Sequence, residues 1–267
     1  MSFPRLGIIA GNGDLPDEIA NIYVGSGGDC FIASIDKDRS YNGVPCKKFA
    51  LGAVGAILEY FEENKVEDVI IIGGIERPDL KALSVDWCGT LLLASIVKQR
   101  FLGDDNVLKI VMNYVQSKGF NVISPLEILA KNSGKLIASA TLPASSDNED
   151  IEVGSSVLKT MGSLDVGQSV VVCGGYVLGI EAAEGTDNLI RRCELLRRKD
   201  KGGVLIKRSK TGQDMRLDVP VIGPETIFCL AKHGFNGLAI EKNGVIIIKP
   251  EETQRLLDEN GLFLEFI

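Results

Sequence analysis

With 267 residues, 45% of them hydrophobic and 24% charged, the chain can bury one large core or two modest ones and lacks the composition of a disordered protein. A formal net charge of −7 argues against a general nucleic-acid binder, which needs a basic footprint, but leaves room for a phosphorylated small molecule met by local Lys and Arg. Six scattered cysteines without a C-x-x-C pair offer neither a zinc motif nor a disulfide framework, so reduced thiols are expected.

The N-terminus shows no charged leader, and the apolar run Leu6–Ala10 is too short for a signal segment. That run reads as a buried strand. The loop Gly11–Pro16 follows, then a helical pattern over Asp17–Val24. Cys30–Ile35 reads as a second strand, Val54–Glu63 as a helix and Asp68–Ile72 as a third strand ending in Gly73-Gly74. Helical patterns near Cys88–Arg100 and Asn106–Lys118 precede a strand at Phe120–Ile123. Continuous apolar strands alternating with helices predict a parallel sheet covered on both faces, of the Rossmann-like kind. Residues 140–150, with Pro143, two serines and an acidic group, are the expected linker. Beyond it, Ser169–Cys173 and Tyr176–Ala182 read as a hairpin across Gly174-Gly175, and Gly237–Glu241 with Val245–Lys249 as another across Lys242-Asn243-Gly244. Helices are expected near Asp187–Leu196, Glu225–Lys232 and Glu251–Glu259. The fold class is therefore α/β: a Rossmann-like domain over 1–139, then a mixed α+β domain over 151–267. No apolar stretch approaches the roughly 20 residues that span a bilayer. The expected location is the cytoplasm, with peripheral contact to the inner face of the membrane compatible with it.

Five polar segments carry candidate chemistry. Gly11, Asn12, Gly13, Leu15 and Pro16 lie where a first strand hands over to a helix, where backbone N–H groups and the helix dipole favour phosphate. Pro16 occupies the third glycine position of G-x-G-x-x-G, which weakens a nicotinamide reading, and a tight turn explains the loop equally well. Gly74 and Arg77 follow the third strand, where Arg77 suits a phosphate or a uracil edge. Gly103, Asp104 and Asp105 open a helix, as a cap or as metal or ribose ligands. Glu184, Gly185, Thr186 and Asp187 follow a strand that ends near Glu181, with Thr186 or Asp187 as the helix cap. The densest cluster is Lys207–Asp218, where Lys207, Lys210 and Arg216 suit phosphates, and Gln213, Asp214 and Asp218 suit a water or a divalent cation. His233, the single histidine, reads as a cation at a helix C-terminus, so no His-dependent covalent machinery is expected.

Taken in order, Gly7-Ile-Ile-Ala-Gly-Asn-Gly-Asp-Leu-Pro16, Gly103-Asp-Asp105, Leu164–Val172, Val177–Asp187, and Gly212-Gln-Asp-Met-Arg-Leu-Asp-Val-Pro220 with Ile222-Gly-Pro224 resemble the UDP-2,3-diacylglucosamine diphosphatases of lipid A biosynthesis, in the branch unrelated to calcineurin-like phosphoesterases. Ser209-Lys-Thr211 departs from the Lys-Pro that the family often has there. The resemblance implies a catalytic C-terminal domain, a site between the domains, and a divalent cation, Mg²⁺ or Mn²⁺. It implies cleavage of UDP-2,3-diacylglucosamine to UMP and 2,3-diacylglucosamine 1-phosphate (lipid X). It also implies an essential aspartate in the C-terminal domain, placed here in Gln213–Asp218, with Asp214 and Asp218 both open. The expected catalytic group is Asp214, Asp218, Gln213 and Arg216, with Asp214 and Asp218 as metal ligands. The expected partner is the diacylated UDP-sugar, and a homodimer is left open. A nicotinamide-dependent oxidoreductase and a non-catalytic UDP-sugar sensor are the alternatives.

Overall fold

The computed structural model describes residues 3–36, 38–74, 86, 88–90, 104–132, 137–164, 166–197 and 202–267. By contacts the chain divides into two compact units, one of residues 1–133 with 214–218, the other of residues 134–213 with 219–267.

The first unit is built on five parallel strands in the order β3-β2-β1-β4-β5: β1 (Leu6–Ala10), β2 (Cys30–Ser34), β3 (Cys46–Lys48), β4 (Asp68–Ile72) and β5 (Asn121–Val122). Central β1 is buried along its whole length, which is why its sequence is continuously apolar rather than alternating. Edge strand β3 is exposed at every residue, and its Cys-Lys-Lys sequence gives no apolar signal. Helix α1 (Leu15–Gly25) starts with Pro16 in its first turn, where the missing N–H costs nothing. Helix α2 (Val54–Glu63) buries Ile57, Leu58 and Phe61. Helices α3 (Asp104–Ser117) and α4 (Pro125–Asn132) complete the described part of this unit.

The second unit holds a mixed sheet ordered β12-β10-β8-β6-β7. Strands β8 (Val204–Lys207), β10 (Gly237–Ile240) and β12 (Phe263–Phe266) are parallel, whereas β6 (Ser169–Cys173) runs antiparallel to both β8 and β7 (Tyr176–Ile180). Along β8 the side chains alternate. Val204 and Ile206 join Ile151 and Leu158 of α5 (Ser145–Met161) in one core, while Leu205 joins Leu189, Ile190, Ile227 and Leu230 in another. Those four belong to α6 (Thr186–Glu194) and α7 (Pro224–Lys232). The sheet is thus covered on both faces, each fully buried aliphatic side chain contributing roughly 1.5–3 kcal/mol.

The β6–β7 hairpin forms as expected. Gly174 and Gly175 both adopt positive φ, 60° and 77°, as a primed turn requires. The second expected hairpin does not form. Residues after β10 leave the sheet, and β11 (Ile246–Ile247) pairs in parallel with β9 (Val221–Ile222) as a separate ribbon. The reason is that β10 is buried throughout and β8 and β12 occupy both its edges. Where a linker was expected over 140–150, residues from Ser145 onward are helical. Asp147 accepts from Ala144 N at 2.9 Å, and the buried Asp150 carboxylate accepts from Gly174 N and Gly175 N at 3.0 and 2.6 Å. Helix α8 (Pro250–Glu259) precedes β12.

Candidate functional site

In the first unit the C-terminal ends of β1 and β4 meet at the point where strand order reverses, the usual ligand crevice of open α/β sheets. Here the two exit loops bind each other. Gly11 N donates to Ile72 O at 2.8 Å, Asn12 N to Gly74 O at 2.7 Å and Gly74 N to Asn12 O at 2.8 Å. A Cβ on Gly11 would lie 2.5 Å from Gly74 O, and one on Gly73, at φ +97°, would lie 2.7 Å from the Gly11 carbonyl carbon. Gly11 and Gly73 therefore serve backbone approach. Gly11→Ala is expected to destabilise the protein by about 2 kcal/mol or more, because backbone rather than a flexible side chain must yield. A thermal melt unchanged by the substitution would refute this account.

The rest of that loop divides in two. Asn12 and Gly13 are exposed, and Gly13 at φ +98° has open space around its Cα. Leu15 and Pro16 are buried, so they anchor α1 and do not face a ligand. The dipole at the start of α1 already has acids beside it. Asp17 and Glu18 lie in the first turn, and Arg39 pairs with Asp14 at 2.8 Å and with Asp17. Of the five loop residues expected to meet phosphate, Asn12 and Gly13 are the exposed ones.

Asp214–Asp218 belongs to the first unit by its contacts. Ser124 Oγ donates to Met215 O at 2.6 Å, and Leu217 sits in the core with Val69, Ile71 and Met112. These two anchors present Asp214 and Arg216, which grip each other. Arg216 Nε reaches Asp214 Oδ1 at 2.9 Å, Nη2 reaches Oδ2 at 2.6 Å, and Arg216 N donates to Oδ1 at 3.1 Å. The Arg216 hydrogen bond holds the Asp214 carboxyl below the usual carboxylate range against the opposing effect of burial, and the Lys109 charge adds to it. Asp214 is a fixed anion, and Arg216 is its clamp. Asp218 N approaches Asp214 O at 3.4 Å in the same turn. Among the described residues no three His, Cys, Asp or Glu side chains gather into a metal cage. One or two carboxylates suit Mg²⁺, which keeps waters and takes its other ligands from substrate phosphates.

In the second unit Lys207 ends β8 with its side chain buried. Its Nζ donates to Thr186 Oγ1 at 2.7 Å, and Thr186 Oγ1 donates to Glu181 Oε1 at 3.0 Å. Glu181 Oε2 is buried without a hydrogen-bond partner among the described residues, as is Ser169 Oγ, whose residue pairs with Lys207 across the sheet. The loop beyond is braced by Glu241, which accepts from Arg208 Nη2 at 2.7 Å and from the Ser209 hydroxyl. Burial alone would raise the Glu241 carboxyl, but the Ser209 and Arg208 hydrogen bonds hold it below the ordinary range. Gln213 Oε1 accepts from Lys210 N at 2.8 Å, closing the turn that carries both residues.

The family model for the LpxI N-terminal domain matches residues 5–132, and that for the LpxI C-terminal domain matches residues 134–265. The chain belongs to the LpxI family. A relative from Caulobacter vibrioides, the UDP-2,3-diacylglucosamine pyrophosphatase LpxI, is 32% identical over 271 residues, covering 97% of this chain and 96% of the relative.

The join between the two LpxI domains, at residues 132–134, falls where the contact units part, between Ser133 and Gly134. Asp214–Asp218 is the exception: within the LpxI C-terminal match, it packs with the first unit. The Lys207–Asp218 cluster is therefore two groups, Lys207, Lys210 and Gln213 in one unit and Asp214, Arg216 and Asp218 in the other. Thr186 is not the cap of α6, because Gly185, at φ +81°, holds that position and frees the hydroxyl to bridge Lys207 and Glu181. Glu184 is committed to Arg192 at 2.8 Å. Asp187 lies in the first turn of α6, and its carbonyl faces Cys229 Sγ at 3.7 Å. Arg77 and Gly103 lie outside the described residues; Asp104 and Asp105 open α3, with their side chains outside the description. His233 caps α7 and contacts Glu194 Oε2 through Nδ1 at 2.6 Å. Sequence reasoning left Glu181 out of the site. Its signal was a lone acid at the end of an otherwise apolar strand.

Proposed function

We propose that this chain hydrolyses the pyrophosphate bond of UDP-2,3-diacylglucosamine to UMP and 2,3-diacylglucosamine 1-phosphate. The observation that carries the reading is the 32% identity, along 97% of the chain, with a relative of that name. The chemistry agrees. Pyrophosphate cleavage needs neutralised phosphates and an oriented water, not a covalent nucleophile. Lys207 and Lys210 meet phosphate oxygens, and Asn12 and Gly13 offer backbone N–H groups to the nucleotide. Asp214, held in place by Arg216, orients the water, with Gln213 as its neighbour in the chain. Asp214 and Asp218 are the residues that would hold a divalent cation, which when bound would neutralise negative charge on the pyrophosphate.

The acyl chains need apolar cover. An open trough of about 590 Å³ runs along α5, lined by Val153, Val157 and Met161 with Glu152, Ser156 and Thr160 beside them. Its C-terminal end adjoins the loop at Thr211, which lies so close that a Cβ on Gly162 would be 2.8 Å from Thr211 N. No helix among the described residues is long and apolar enough to cross a membrane. A cytoplasmic site of action, in peripheral contact with the inner face of the membrane, is part of the proposal.

Incubation with UDP-2,3-diacylglucosamine and Mg²⁺ or Mn²⁺ is expected to release UMP, and chelation to stop it. Absence of UMP with both metals would overturn the reading and favour a UDP-sugar sensor.

A further inference from the structure

The register of the second sheet shows what accompanies the buried charge of Lys207. Ser169 of β6 lies directly opposite Lys207, and Glu181, one residue past β7, donates its N–H to Ser169 O at 2.8 Å. Glu181, Ser169 and Lys207 thus form one row across three adjacent strands. The neighbouring row, Ile180, Val170 and Ile206, packs in the core that holds Ile151 and Leu158 of α5. Side chains alternate along a strand, so the Glu181 row points to the opposite face. That is the face of α6, where Leu205 and Val171 pack with Leu189 and Ile190.

Two strand spacings, about 9–10 Å, separate the backbones of Glu181 and Lys207. Small Ser169 stands between them, and Thr186 at the start of α6 closes the distance. Its Oγ1 lies 2.7 Å from Lys207 Nζ and 3.0 Å from Glu181 Oε1. An ammonium only donates and a carboxylate only accepts. The hydroxyl therefore has one orientation, with its proton toward Glu181 and a lone pair toward Lys207. Glu181 sets the direction in which Thr186 accepts, and Thr186 fixes where Nζ sits. A carboxylate in direct contact would saturate the ammonium and compete with a phosphate. One hydroxyl removed, it holds the ammonium in place and leaves its charge to act on an anion.

We propose that Glu181 is a positioning residue for phosphate binding, acting through the Thr186 hydroxyl to hold the Lys207 ammonium where it meets a phosphate oxygen of the nucleotide. The inference rests on the phosphate-binding role of Lys207 under the proposed function.

The test is a double-mutant cycle on UDP binding, measured by calorimetry on the whole protein with Mg²⁺ present, a readout that needs no hydrolysis. Glu181→Gln keeps the shape but can donate as well as accept, and it is expected to weaken UDP binding by about tenfold or more, the equivalent of one charge-assisted hydrogen bond. Thr186→Val, which loses the hydroxyl, is expected to do the same, whereas Thr186→Ser, which keeps it, is expected to recover binding to within about threefold of wild type. Lys207→Met weakens binding by itself, and adding Glu181→Gln to it is expected to cost nothing further, because the relay has lost its end. Additive losses would overturn the proposal, as would wild-type affinity in both Glu181→Gln and Thr186→Val, or a wild type that does not bind UDP. If circular dichroism shows Glu181→Gln to be unfolded, the contrast between Thr186→Val and Thr186→Ser decides. A wild type that gives the expected cycle yet releases no UMP from UDP-2,3-diacylglucosamine would sink the hydrolytic reading and leave the role of Glu181 standing.

Discussion

Asp214→Ala is expected to lower turnover by about two to four orders of magnitude, the usual range for losing a group that orients or activates the attacking water. Two effects combine. The variant removes the carboxylate itself, and it releases Arg216, which makes three hydrogen bonds to Asp214. Asp214→Asn separates these effects, because the amide can still accept from Arg216 but carries no charge. If both Asp214→Ala and Asp218→Ala turn over like the wild type, the site does not lie in this segment.

Arg216→Met tests the clamp through pH. The Arg216 hydrogen bond is the first cause of the depressed Asp214 carboxyl, so its loss moves that carboxyl back up toward the ordinary value of about 4. In the wild type the carboxylate stays charged as pH falls below that value, whereas in the variant it protonates earlier. The acid limb of kcat/KM is therefore expected at higher pH in Arg216→Met. Stability carries the same sign. The contribution of this pair is present above the unfolded carboxyl value and disappears as pH falls through the lower folded value.

Lys207→Met is expected to cost both stability and activity. Methionine fills much of the same space, but a buried ammonium is removed from beside the Thr186–Glu181 pair, and a buried carboxylate that loses a nearby cation typically costs about 3–5 kcal/mol. Turnover is expected to fall by about 10²–10³ if this ammonium meets a phosphate oxygen. The double variant Lys207→Met/Glu181→Gln distinguishes the two losses: neutralising Glu181 restores much of the melting temperature and none of the rate. Recovery of the rate together with the melting temperature would show Lys207 to be structural only.

Much of the first sheet was legible because parallel strands buried on both faces must be continuously apolar, as Leu6–Ala10 and Asp68–Ile72 largely are. Edge strand β3 was not, since Cys46–Lys48 is solvent-exposed and owes its pairing to β2. The stretch from Ser145 read as linker because Ser and Asp favour turns and helix starts alike, and only burial of Ile151 and Leu158 decides between them. Lys242-Asn243-Gly244 does turn, with Asn243 at φ 63°, but a turn signal does not say whether the strands it joins will pair with each other. At the site, residue types and positions along the chain were legible. The division of Lys207–Asp218 at Gln213 was not, because it depends on Leu217 finding a core made of residues between Ile9 and Val122, far earlier in the chain.

That borrowed residue bears on how the protein is made. The first unit takes Leu217 into its core, yet its own contiguous sequence ends at Ser133. On the ribosome the N-terminal half must wait for about 80 more residues, roughly 4–16 s at ordinary elongation rates, before its last core side chain exists. A fragment stopped at Ser133 would emerge with a gap where Leu217 belongs. The first unit is therefore not finished when its own contiguous sequence has been made, and nascent chains shorter than about 220 residues are the ones expected to call on chaperones.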